Sequence, residues 1–114
     1  MKRTTIQVLT GPAGFEHRHE TPGYQVAGHL HVCHDPRNHA YWVIVHAPTG
    51  LRINQGAAGH MPFQTRRRAA AVASRLGESI PELTTQDKIK AFIRRNKAQV
   101  RQALSWACLA TIGV

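Results

Sequence analysis

The first half of the chain carries the two-residue alternation of strands, and the second half carries the three-to-four-residue spacing of helices. Ile6 and Val8 alternate with polar neighbours and predict a short strand over residues 4–9. Leu30 and Val32 alternate with His29, His31 and Cys33 in a strand over 24–34. Tyr41, Val43 and Val45 alternate with Trp42, Ile44 and His46 in a strand over 40–46. Between these two lies Asp35-Pro36-Arg37-Asn38, a turn with Asp first and Pro setting φ at the second position. With Asp35 opposite Asn38, Val32 faces Tyr41, Leu30 faces Val43, and His31 faces Trp42. A second turn, Ala47-Pro48-Thr49-Gly50, has Gly50 at a left-handed position and leads into a strand over 51–54. With Val45 opposite Ile53, Leu51 and Ile53 join the apolar face. Arg52 and Asn54 join the other. Residues 10–21, with the polar run Glu16-His17-Arg18-His19-Glu20, are expected to form a loop.

Residues 55–64 form a Gly/Ala-rich stretch with Met61 and Phe63 as anchors. Thr65 is a natural N-cap for a helix over 66–76, with Gly77 at its end. Ala69, Val72, Ala73 and Leu76 share one face of that helix. Thr84 with Asp87 resembles a capping box and opens a long helix over 86–110. Its apolar face holds Ile89, Phe92, Ile93, Val100, Ala103, Leu104 and Ala107, with Asn96 as a polar break where a kink or a split is expected. Together these elements predict one α+β domain over 1–114. An antiparallel sheet of about four strands, over 4–56, carries two C-terminal helices packed on one face and leaves the other face open.

Charge adds a partner class. Fifteen Lys/Arg against six Asp/Glu give +9 with histidines neutral, which favours polyanions. Residues 61–114 hold ten Lys/Arg and three Asp/Glu, whereas all eight histidines lie in residues 1–60. Two distinct surfaces follow, one rich in histidine and one rich in arginine. Cys33 and Cys108 form no CxxC pair, so a reducing, cytoplasmic setting is expected. Residues 1–10 lack the apolar run of a signal peptide, and the apolar tail over 103–114 is too short to span a bilayer. No membrane partner is expected, and the C-terminal helix offers a surface for a homodimer.

Four side chains suggest metal chemistry. His29, His31 and Cys33, two residues apart, project from one side of a strand, and His46 completes a set of zinc-ligand types. No carboxylate is placed to orient the imidazoles, so neither a metal nor another cofactor is expected. Nucleophilic catalysis fares no better. His34 adjoins Cys33 in sequence and so points to the opposite face of a strand, and no acid orients His31. Paired catalytic carboxylates are also lacking, so an enzyme is not expected.

The basic residues are better ordered. Arg66, Arg67 and Arg68 open a helix, where guanidinium groups and free backbone amides both favour phosphate. Lys90, Arg94, Lys97 and Arg101 recur at intervals of four, three and four, a stripe suited to a nucleic-acid backbone. The open sheet face would add His29, His31, Trp42, His46, Arg52 and Asn54 as a recognition surface, with rings to stack on bases.

Residues 41–77 carry a hairpin, then Phe63-Gln64-Thr65, then Arg66-Arg67-Arg68-Ala69 opening an Ala-rich helix. This stretch resembles the small three-stranded-sheet-plus-helix DNA-binding domains of the AP2-like and integrase-arm type. The resemblance implies a sheet that enters the major groove with Arg52, Asn54 and Trp42 near the reading face. The expectation is a small non-enzymatic accessory protein, of phage or plasmid type, that binds nucleic acid or a nucleoprotein complex. The alternative is a protein-binding inhibitor or adaptor, anti-CRISPR-like, that blocks a host nucleic-acid-processing or defence complex.

Overall fold

A computed structural model describes residues 2–12, 14–53 and 63–114. Asn54 and Met61 lie outside the described residues. The fold is α+β. A curled antiparallel sheet runs in the order β1 (Lys2–Thr10), β2 (His17–Ala27), β3 (Leu30–Asp35), β4 (Asn38–His46) and β5 (Leu51–Arg52). Four helices follow among the described residues: α1 (Arg66–Ser79), α2 (Glu82–Thr85), α3 (Lys90–Arg95) and α4 (Lys97–Ala110).

Residues 17–20 of the polar run are strand rather than loop. His17 to Gln25 pair along the whole of β1, from Thr10 back to Lys2. The backbone ladder alone satisfies this exposed stretch, so no apolar alternation marks it in the sequence. Its one interior-side polar contact joins the Thr10 hydroxyl to His19 Nε2 at 2.7 Å.

The β3–β4 hairpin corrects the expected register. Asp35 does pair with Asn38, but the next pair is His34 with Trp42, followed by Cys33–Val43, Val32–Ile44, His31–Val45 and Leu30–His46. Residues 39–41 are therefore extra on β4. The Asn38 side chain accepts from the Ala40 amide at 3.1 Å and so withdraws that group from the ladder. A shift of three is odd, and an odd shift exchanges the two faces of β4 relative to β3. Trp42, Ile44 and His46 thus lie with Leu30 and Val32, while Val43 and Val45 lie with His31 and Cys33. The second turn is also displaced by one: Val45 pairs with Arg52 and His46 with Leu51.

Both faces of the sheet are consequently covered. On one, Leu30, Val32 and Ile44 pack against Ala69, Val72, Ala73 and Leu76 of α1 and Val100, Leu104 and Ala107 of α4. On the other, the β1–β2 hairpin curls over and encloses Ile6, Val8, Cys33, Val43 and Val45. The curl brings β1 to β5, where the Leu9 amide donates to the Gly50 carbonyl at 2.8 Å. Each buried Val, Leu and Ile side chain here contributes about 1.5–3 kcal/mol.

The helices differ from expectation in three places. Thr65 caps α1 by accepting from the Arg68 amide, as its position predicts. Gly77 does not end α1 but lies buried within it, where a Cβ would come 2.8 Å from Thr84 Cγ2. Close packing, not a left-handed cap, explains that glycine. The Thr84–Asp87 capping box does not form: Thr84 belongs to α2, and Asp87 binds His29 Nε2 at 2.7 Å. The helix expected from about residue 86 begins at Lys90; it splits at Asn96, one of the two outcomes expected there, and the Asn96 side chain donates to the Phe92 carbonyl at 2.8 Å.

Candidate nucleic-acid interface

The register correction dissolves the expected recognition face. His46 is fully buried on the helix side, and His31 is buried on the opposite side. Arg52 also lies on the His31 side. Its guanidinium sits 3.8 Å from Asp35 and its Nε donates to the Leu9 carbonyl at 3.1 Å. Burial works against the Arg52 charge, and Asp35 offsets it. Neither histidine is open to a ligand, and Arg52 is tied to Asp35 and the end of β1.

The suggested metal ligands do not converge. Among the described residues no three His, Cys, Asp or Glu side chains come together around a common point. Both ring nitrogens of His46 are engaged, Nε2 with the Gln86 carbonyl at 2.7 Å and Nδ1 with the Thr49 hydroxyl at 2.8 Å. Burial pushes the Cys33 thiol up to about 12, so it is no thiolate ligand or nucleophile near neutral pH.

In place of the expected face, the same correction assembles a different surface at the far end of the sheet from His46. Trp42 pairs with His34, and their ring centroids lie 4.0 Å apart with planes inclined by 34°. His39, on the extra stretch of β4, has its ring 6.1 Å from that of His34 with planes inclined by 30°. Tyr24 reaches Trp42 from β2 at 6.2 Å. The guanidinium of Arg66 lies over the Tyr24 ring at 4.3 Å, a cation–π contact. The row Arg66–Tyr24–Trp42–His34–His39 is continuous. His34, His39 and Arg66 are exposed, whereas Tyr24 and Trp42 are half-buried against the core.

Local structure explains why the row sits beside the start of α1. Phe63 exchanges two backbone hydrogen bonds with Trp42, at 2.7 and 3.1 Å, and Phe63 itself is buried. Two residues later Thr65 caps α1, so Arg66 and Arg67 emerge next to the aromatic row. Arg3 pairs with Tyr24 across β1–β2 and adds another exposed cation on that side. The acid nearest in sequence, Asp35, is turned to the other face with Arg52.

Arg68 departs from the expected phosphate set. Its guanidinium donates to the carbonyls of Cys108, at 2.9 Å, and Thr111. It therefore closes the C-terminal end of α4, where the last carbonyls of a helix lack partners. Lys90 and Arg94 lie on α3, and Lys97 and Arg101 on α4, so the stripe runs across the break at Asn96. Arg94, Lys97 and Arg101 are exposed and Lys90 is half-buried. No acidic residue occurs in either helix.

Tyr24, His34 and His39 escape a reading of the sequence alone. Tyr24 carried a usable signal, since the β2–β3 pairing gives it the parity of Val32. His34 and His39 carried none, because their side depends on how many residues Asn38 diverts from the ladder. No helix among the described residues is long and apolar enough to cross a membrane. Comparison with protein-family models, curated proteins and solved structures finds no match to this chain.

Proposed function

We propose that this protein is a small, non-enzymatic nucleic-acid-binding protein whose interface is the row Arg66–Tyr24–Trp42–His34–His39 with the start of α1. The observation that carries the reading is the close contact of the exposed His34 imidazole with Trp42, with His39 beyond it, next to an arginine-led helix. A nucleobase extends the stack at its exposed His34–His39 end, and base–aromatic stacking contributes about 1–3 kcal/mol per base. Arg66 and Arg67, with Arg3 nearby, bind the flanking phosphates by charge and by release of counterions. Exposed ring faces suit unpaired bases better than the edges of a duplex, so single strands are the preferred substrate. The stripe Lys90, Arg94, Lys97 and Arg101 offers further phosphate contacts. Anisotropy titrations of labelled single strands and duplexes, DNA and RNA, at low and physiological salt test the reading. Absence of binding to all of them at low salt contradicts it.

A second reading, a protein-binding inhibitor or adaptor, has its own supporting observation. Trp106, Leu109 and Ile112 are 65%, 62% and 72% exposed near the end of the chain. Trp is a frequent anchor of protein interfaces. The homodimer expected through the C-terminal helix would use the same side chains. Pull-down with and without nuclease separates the readings: a stoichiometric protein partner that survives nuclease favours the second.

A further inference from the structure

An open pocket of about 330 Å³ lies between the Pro48–Thr49 turn and the segment leading into α3. It is distinct from the aromatic row, at the other end of β4. Arg18 from β2 and Lys88 and Lys90 from the α3 side bring three cations to its walls, against one carboxylate, Asp87. One oxygen of that carboxylate is already engaged by His29 at 2.7 Å. Pro48 and Ala91 supply an apolar part of the lining.

The two walls are held together by a buried histidine. A carbonyl only accepts, so His46 Nε2 donates to the Gln86 carbonyl at 2.7 Å. Burial holds the His46 pKa below its ordinary value, so the ring is neutral and its Nδ1 accepts from the Thr49 hydroxyl at 2.8 Å. Thr49 is on one wall of the pocket, and Gln86 precedes the other. The pocket thus has a fixed frame, cationic groups from two separate segments, an apolar wall and a carboxylate oxygen free of the His29 contact.

We propose that this pocket binds a phosphomonoester of mononucleotide size. Arg18, Lys88 and Lys90 hold the phosphate dianion, the body of the ligand rests against Pro48 and Ala91, and Asp87 accepts from a hydroxyl or amino group. The pocket shares only Lys90 with the basic stripe and no residue with the aromatic row, so the proposal stands or falls apart from that row.

The test is an NMR titration of the full chain with adenosine monophosphate, adenosine and inorganic phosphate at physiological salt. The expected result is saturable binding of the monophosphate, with shifts confined to residues 18, 48–49 and 86–91. Adenosine and inorganic phosphate should each bind at least about tenfold more weakly. Lys88→Glu with Arg18→Glu, both at exposed positions, should abolish monophosphate binding and leave the spectrum of the rest of the fold unchanged. Shifts spread equally over Arg66, Arg67 and Arg94 would mean unspecific attraction and overturn the proposal. So would adenosine or phosphate binding as tightly as the monophosphate, or binding that survives the double variant.

Discussion

The imidazole of His34 lies 4.0 Å from the indole of Trp42, a contact that exists only because three extra residues follow Asn38 in β4. This contact joins the half-buried Trp42 to the exposed end of the proposed interface. His34 is exposed and touches only the outer part of the half-buried Trp42, so His34→Ala should lower the melting temperature only slightly. Loss of one stacking platform should weaken single-strand binding by about 1–2 kcal/mol, roughly tenfold. Paired anisotropy and thermal-melt measurements check both halves of the expectation.

Arg67 and Arg68 are neighbours with opposite roles. Arg67 is exposed, and Arg67→Ala should change stability by less than about 0.5 kcal/mol while weakening binding. Arg68 donates to two carbonyls at the end of α4, and Arg68→Ala should cost about 1.5–3 kcal/mol. Urea denaturation of the two single variants distinguishes them. A combined Arg66/Arg67/Arg68 variant would mix lost binding with lost stability.

Acid should destabilise the fold through His46 and His31. Burial, as the largest cause, lowers both pKa values from 6.5; neighbouring histidines push in the same direction, while the Gln86 carbonyl and Asp87 partly oppose the shift at His46. The unfolded chain therefore binds protons more readily than the native one. Stability from these groups is fully present above about pH 6.5 and is lost as pH falls toward their folded pKa values. Melting temperatures should drop between about pH 7 and pH 5. His31 Nδ1 is buried without a hydrogen-bond partner among the described residues, so His31→Leu should be neutral or stabilising by about 1 kcal/mol and should reduce the pH dependence.

Cys33 should be inert in the native protein. Its thiol is fully buried and its pKa is pushed up to about 12. Thiol-specific reagents should label neither Cys33 nor, at any appreciable rate, Cys108, whose pKa is also raised by burial. Both should react in denaturant. Rapid native labelling of Cys33 would contradict the closed second core.

Elements whose signals are local could be read from the sequence. The Asp35–Asn38 turn, the Thr65 cap and the break at Asn96 each depend on residues within a few positions. Facing could not be read, because it depends on whether the Asn38 side chain takes an amide from the ladder. That single local bond moved Trp42 and His46 to the helix side and left His31 opposite. Gly77 shows a second limit: a buried glycine at a close helix contact and a C-terminal cap look alike in sequence. Asp87 shows a third, since a distant histidine, His29, removed it from its expected capping role.

The most direct test of the interface is the salt dependence of single-strand binding for the native chain and for an Arg66→Ala/Arg67→Ala variant. The account predicts measurable binding at about 50 mM salt, a steep fall by about 200 mM, and a log–log slope reduced by about 1–2 in the variant. Unchanged slope and affinity in that variant, or no binding by the native chain at low salt, would contradict it.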